Sequence, residues 1–176
     1  TATTDMAALA GCELVIEAVF ENRALKANIT RAAEPHLTAG GVMATNTSTL
    51  PISGLAQASK DATQFVGIHF FSPVHKMKLV EIIKGQHTSD QAIALAFDYV
   101  QQLGKLPIVV NDSRGFFTSR TFATYVMEGA AMLGEGVAPA LLENAAMQCG
   151  MPVGPLAVLD ETALSLSVAV LDQTRA

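Results

Sequence analysis

The sequence predicts an α/β domain built on a mostly parallel sheet, followed by an all-helical region, and three observations carry that expectation. Up to residue 111 short apolar runs alternate with helix-like stretches, the pattern of strands joined by crossover helices. After Asn111 the apolar residues recur at helical spacing only. Half of the 176 residues are hydrophobic and 15% are charged, so a domain with a smaller appendage has ample material for a core. That charged share lies below the roughly 25% usual for a self-contained domain, which predicts apolar surface that meets a partner or another part of the same protein.

The elements follow in order. CELVIEAVF (12–20) reads as a buried strand and NRALKANITRAAEPHL (22–37) as a helix. GVMATN (41–46) is a second strand, after which Pro51 suits the first turn of a helix over PISGLAQAS. TQFVGIHFF and KLVEII are two more strands around the loop SPVHKMK. SDQAIALAFDYVQQLG (89–104) is an amphipathic helix ending on Gly104, and KLPIVVN (105–111) is the last strand. A long helix is expected over 113–134 and another over 138–150, then a turn at MPVGP into a helical LAVLDETALSLSVAVLDQ. The domain boundary falls at 111–112.

Charge and cysteine usage exclude several classes. A net charge of −5 argues against a nucleic-acid surface, and Lys76, Lys78 and Lys84 form the one conspicuous basic cluster. Cys12 and Cys149 stand far apart with no metal-ligand spacing, and read as buried thiols of a reducing compartment. No apolar run reaches the ~18 residues of a membrane span, ALSLSVAVL being the longest, so a soluble cytoplasmic protein is the expectation.

Three stretches could carry chemistry. In KLVEII the strand period puts Glu81 on one face with Leu79 and Ile83, where an unpaired carboxylate is costly. His69 in IHFF can meet it if the loop folds one strand back on the other; Lys76 or Lys78 are the alternative partners. A carboxylate beside imidazole orients the ring and favours its charged form, the arrangement of a general acid/base, although a structural pair has the same composition. In ATNTSTLPISGL, Asn46, Thr47, Ser48 and Thr49 follow a strand and precede a helix, which suits either capping or ligand binding at a strand's carboxyl end. In EAVFENRALK, Glu17 and Glu21 bracket a strand end before Lys26, which reads either as helix-start acids with a surface lysine or as part of a site. The glycine-rich turn with which a nucleotide-binding sheet usually opens is absent, so either no dinucleotide binds or the chain is a fragment lacking that half.

Taken together, LVIEAVFEN, ATNTSTLPI, GIHFFSPVHKMKLVEII and DSRGFFTSR resemble, in that order and over essentially the whole chain, the 3-hydroxyacyl-CoA dehydrogenase family. The likeness is to the dehydrogenase part of multifunctional enzymes that also carry enoyl-CoA hydratase. It implies a partial Rossmann-type sheet, the C-terminal half of an NAD-binding domain over 1–111. The start of a helical domain for substrate and dimerisation follows over 112–176. On that footing the chain is an internal fragment, and the cofactor loop lies upstream.

What the resemblance implies can be carried onto single residues. His69 matches the family's acid/base, Glu81 its orienting partner, and Ser48 the serine that hydrogen-bonds the reacting oxygen. Ala18, Glu21 and Lys26 match positions around the nicotinamide end of the cofactor, with Asn46 and Ser72 beside them. Ser119 stands where the family commonly has a substrate-contacting asparagine, and Ser72 also replaces a more usual asparagine. The implied reaction is oxidation of an (S)-3-hydroxyacyl-CoA by NAD in fatty-acid β-oxidation, within a homo-oligomer or multienzyme complex. Two other readings stand beside it. One is a non-catalytic module that keeps the fold. The other is a dehydrogenase of free 3-hydroxyacids, which would place a lysine where FFTSRTFATYV offers Arg120.

Overall fold

The computed structural model describes residues 1–161, and these fall into two compact units divided between Phe117 and Thr118. The helical expectation beyond Glu161, including ALSLSVAVL, lies outside the described residues. Asp112–Phe117, which follow the compositional change at 111, pack with the first unit.

The first unit is a five-stranded sheet in the order β1-β2-β3-β4-β5. Its strands are β1 (Leu14–Glu17), β2 (Val42–Thr45), β3 (Phe65–Phe70), β4 (Leu79–Lys84) and β5 (Leu106–Asn111). The pairs β1–β2, β2–β3 and β4–β5 are parallel, and β3–β4 is an antiparallel hairpin. Every residue of β2 is buried, as a central parallel strand covered on both faces requires.

Strand alternation sorts the core into two layers. On one face Met43, Phe65 and Ile83 pack with Ala33 at the end of α1 (Arg23–Ala33) and with Ile52 and Leu55 of the short α2 (Ile52–Leu55). On the other, Val42, Ala44, Val66, Ile68, Val80 and Ile82 pack with Ala92, Ala96 and Val100 of α3 (Asp90–Gln102). The helices start where short polar side chains can accept from free backbone donors. Asn22 Oδ1 accepts from Leu25 N–H at 3.0 Å, and Ser89 Oγ from Ala92 N–H at 3.2 Å. Pro35 tightens the end of α1 into a 3-10 turn over Glu34–His36.

Gly67 sits where β3 passes under α2. A Cβ there would lie 2.7 Å from Ile52 Cδ1 and 2.9 Å from Ile83 Cβ, both fully buried. Gly67→Ala is therefore expected to destabilise the unit by about 1–3 kcal/mol, read as a lower urea midpoint at unchanged slope.

The long helix expected from 113 begins later, as α4 (Thr118–Gly134). Gly115 and Phe116 both have positive φ, +71° and +49°, and two successive left-handed residues cannot be part of a right-handed helix. The second unit also holds α5 (Pro139–Gln148) and α6 (Pro155–Glu161). Glu143 Oε1 accepts from Leu156 N–H at 2.9 Å at the start of α6, and Tyr125 OH donates to the Val153 carbonyl at 2.8 Å. The expectation of two buried thiols fails for Cys149, which follows α5 on an exposed turn; Cys12 is half-buried.

Candidate active site

Alternation places the polar groups singled out by sequence on one face of the sheet, the face that carries α1 and α2. His69 and Glu81 occupy directly opposed positions of the β3–β4 hairpin. His69 Nδ1 lies 2.8 Å from Glu81 Oε2, and Glu81 is completely buried. Glu81 Oε1 accepts from the Phe117 N–H at 3.1 Å. A carboxylate accepts only, so the imidazole presents Nδ1–H to it and keeps the lone pair of the neutral ring on Nε2. The ring is flanked by Phe71 at 4.5 Å and Phe116 at 6.1 Å between centroids. Lys76 and Lys78, the alternative partners for Glu81, lie exposed on the hairpin loop.

Beside this pair runs a second network, from the ends of β1 and β2. Lys26 is 1% exposed, which overturns its reading as a surface lysine. Its Nζ donates to Glu17 Oε1 at 2.9 Å, to Glu17 Oε2 at 3.2 Å and to the Val19 carbonyl at 3.2 Å, and lies 3.5 Å from Glu21 Oε2. Thr45, the register partner of Glu17, donates to Glu17 Oε2 at 2.7 Å. Glu21 in turn gathers the turn after β2. Its Oε1 accepts from Thr47 Oγ1 at 2.6 Å, and from Ser48 N–H, Thr49 N–H and Thr49 Oγ1 at 3.0 Å each. Burial alone would raise the Glu21 carboxyl, but the hydrogen bonds of Thr47 and Thr49 and the Lys26 charge outweigh it and hold it below its ordinary value.

The sign of the pH effect follows. A carboxylate lowered in the folded state contributes stability that is complete above its unfolded value and is lost as pH falls through the lowered one. The turn bearing Ser48 should therefore loosen on acidification below the ordinary glutamate range, and Glu21→Gln should remove that dependence. Amide exchange at Ser48 and Thr49 followed across pH checks it; equal pH dependence in both proteins would refute the assignment.

The remaining predicted residues are placed as follows. Ser48 is exposed, and its hydroxyl makes no hydrogen bond among the described residues. Asn46 Oδ1 accepts from Phe70 N–H at 2.9 Å, joining the end of β2 to the strand of His69. Ala18 lines an apolar hollow with Val19, Phe20 and Leu25 at the carboxyl end of β1, where Phe20 is 87% exposed. Ser72 is exposed in the turn after β3. Ser119 lies in the first turn of α4, in the second unit. Sequence reasoning missed Asp112, whose carboxylate accepts from Ile52 N–H, Ser53 N–H and Ser53 Oγ at 2.6–2.7 Å and so anchors α2. Its signal was only its place in DSRGFF. Among the described residues no cluster of His, Cys, Asp and Glu could hold a metal ion.

Two family models match the chain: the 3-hydroxyacyl-CoA dehydrogenase NAD-binding domain over residues 1–113, and the C-terminal domain of the same family over 115–176. The chain belongs to the 3-hydroxyacyl-CoA dehydrogenase family. Relatives of this dehydrogenase family include the fatty acid oxidation complex subunit alpha of Shewanella halifaxensis, 38% identical over 97% of the chain and 24% of that protein. The subunit alpha of Shewanella oneidensis is 39% identical over the same shares. Among solved structures, (S)-3-hydroxybutyryl-CoA dehydrogenase from Ralstonia eutropha matches with a TM-score of 0.91 at 37% identity, over 97% of this chain and 61% of that one. A 3-hydroxybutyryl-CoA dehydrogenase from Escherichia coli matches at 0.90 and 31%, over 96% and 36%. The chain thus spans about a quarter of the length of the curated family members it matches. Among its described residues no helix is long and apolar enough to cross a membrane.

Proposed function

We propose that this chain supplies the acid/base pair and the nicotinamide end of an NAD-dependent dehydrogenase. Its reaction is the oxidation of (S)-3-hydroxyacyl-CoA to 3-ketoacyl-CoA in fatty-acid β-oxidation. The observation that carries the reading is the buried 2.8 Å contact between His69 Nδ1 and Glu81 Oε2, on a chain that belongs to this family.

His69 Nε2 takes the proton of the substrate's 3-hydroxyl, and the imidazolium so formed is stabilised by Glu81 across the hairpin. In the reverse direction the same nitrogen returns the proton to the ketone oxygen. The unengaged hydroxyl of Ser48 is the group proposed to hydrogen-bond that oxygen. Ser119 is proposed to contact substrate.

The NAD fit rests on the hollow lined by Ala18, Val19, Phe20 and Leu25, an apolar surface suited to the flat nicotinamide ring, which accepts the hydride when bound. Glu21, Lys26, Asn46 and Ser72 are proposed to frame that end. Lys26 and Glu21 do so by holding the backbone around it, since their polar atoms already face Glu17, Val19 and the Thr47–Thr49 turn. Among the described residues no glycine-rich turn links a strand to a helix to hold a pyrophosphate, so activity is proposed for the full-length polypeptide and not for these 176 residues alone. By likeness to the subunit alpha relatives, assembly into a multienzyme complex is proposed too.

The test is NADH consumption by the full-length, folded protein with acetoacetyl-CoA and longer 3-ketoacyl-CoA substrates. Turnover supports the reading; none at any chain length replaces it with a non-catalytic module of the same fold.

A further inference from the structure

Phe116 combines two properties that rarely coincide. Its φ of +49° lies in the left-handed region, where a bulky side chain is an outlier, and its ring is 2% exposed in the core with Ile52, Phe65 and Ile83. Glycine would adopt that backbone without strain, so the geometry demands a reason for the ring, and the ring demands a reason for the geometry. Both reasons lie at the acid/base pair. The ring stands 6.1 Å from the His69 imidazole at a tilt of 56°, within the range of a favourable aromatic pair, and with Phe71 it bounds the imidazole. The left-handed turn at Gly115 and Phe116 aims the next amide, Phe117 N–H, at Glu81 Oε1. The same segment is anchored at its start, where Asp112 holds the backbone of α2.

We propose that Phe116 is the positioning residue of the His69–Glu81 pair, its ring fixing the imidazole and its left-handed backbone fixing the carboxylate through Phe117 N–H. The proposal rests on the acid/base reading of His69 given above. Ring and backbone act on opposite members of the pair, so the two effects separate by substitution. Phe116→Gly keeps the left-handed turn and the Phe117 N–H but deletes the ring. Phe116→Leu keeps apolar volume without an aromatic face, and serves where the glycine variant folds poorly.

The experiment measures kcat and KM of the full-length enzyme with acetoacetyl-CoA and NADH, together with the low-field proton resonance of a carboxylate-bound imidazole N–H. Misplacing a reacting group by about 1 Å costs on the order of 10²-fold, so Phe116→Gly should lose kcat on that scale with KM nearly unchanged. Phe116→Leu should show a smaller loss, and in both variants the low-field resonance should broaden or vanish. A merely structural ring would lower the melting temperature and leave kcat per folded molecule and the resonance as they were, and that outcome overturns the proposal. His69→Ala separates the two claims. If it keeps full activity, the acid/base reading falls whatever Phe116 does. If it is inactive while the folded Phe116 variants keep wild-type kcat and resonance, only the positioning role falls.

Discussion

His69→Ala is expected to lower kcat of the full-length enzyme by about 10²-fold or more, with little change in KM for the acyl-CoA. The alanine variant removes the nitrogen proposed to exchange a proton with the 3-oxygen, but leaves the apolar hollow at the end of β1 and the Ser48 turn intact. A group that acts in the transition state lowers kcat, whereas one that only binds raises KM. Glu81→Gln refines the result. The amide has one acceptor oxygen for the two donors that Glu81 serves, Nδ1–H and the Phe117 N–H, and carries no charge to stabilise an imidazolium, so a loss smaller than that of His69→Ala is expected in the same parameter. Circular dichroism and melting curves establish that both variants are folded. A folded His69→Ala protein that keeps wild-type kcat would remove the acid/base role.

Lys26→Met should be the most destabilising of the substitutions discussed, at about 3–5 kcal/mol, because it leaves the Glu17 carboxylate buried without its cation. Both side chains are 1% exposed, so water cannot take over the solvation of the orphaned charge. The pair itself need not add net stability, since desolvating two ions costs about as much as their attraction returns. The double variant Glu17→Gln with Lys26→Met is therefore expected to recover much of the loss, and urea unfolding of the four proteins measures the coupling. Additive losses, or a Lys26→Met protein within about 0.5 kcal/mol of wild type, would show that Glu17 is solvated in another way.

What the sequence made legible was local. The hairpin and its histidine–carboxylate pair could be read because a strand period of two assigns Glu81 a face, and a short polar loop returns the chain beside His69. Less legible were features that depend on where distant backbones end up. Nothing in EAVFENRALK distinguishes a lysine that covers a carboxylate at the end of β1 from one that faces water. That Glu21 holds the Thr47–Thr49 turn depends on β1 and β2 being neighbours, so that its carboxylate ends beside a hydroxyl and two amides 26–28 residues later. The late start of α4 is hidden because Phe116 is an apolar residue in a helical pattern, and only its dihedral angle shows otherwise. Cys149 was misread because thiols are usually buried, while this one falls on the turn that ends α5.

The pairing of His69 with Glu81 across neighbouring strands has a consequence for how this protein can vary. The two are separated along the chain by the loop 71–78, yet hairpin register is what sets them opposite each other. Insertions or deletions beyond Phe71, which flanks the imidazole, leave the pair in place so long as the strands re-form in the same alignment. A single residue gained within either strand turns the displaced side chain to the opposite face and disables the pair at once. The hairpin thus partitions mutational risk. The exposed side chains of 74–78 can be recharged without moving the pair, whereas its rungs tolerate substitution at best and never a change of count.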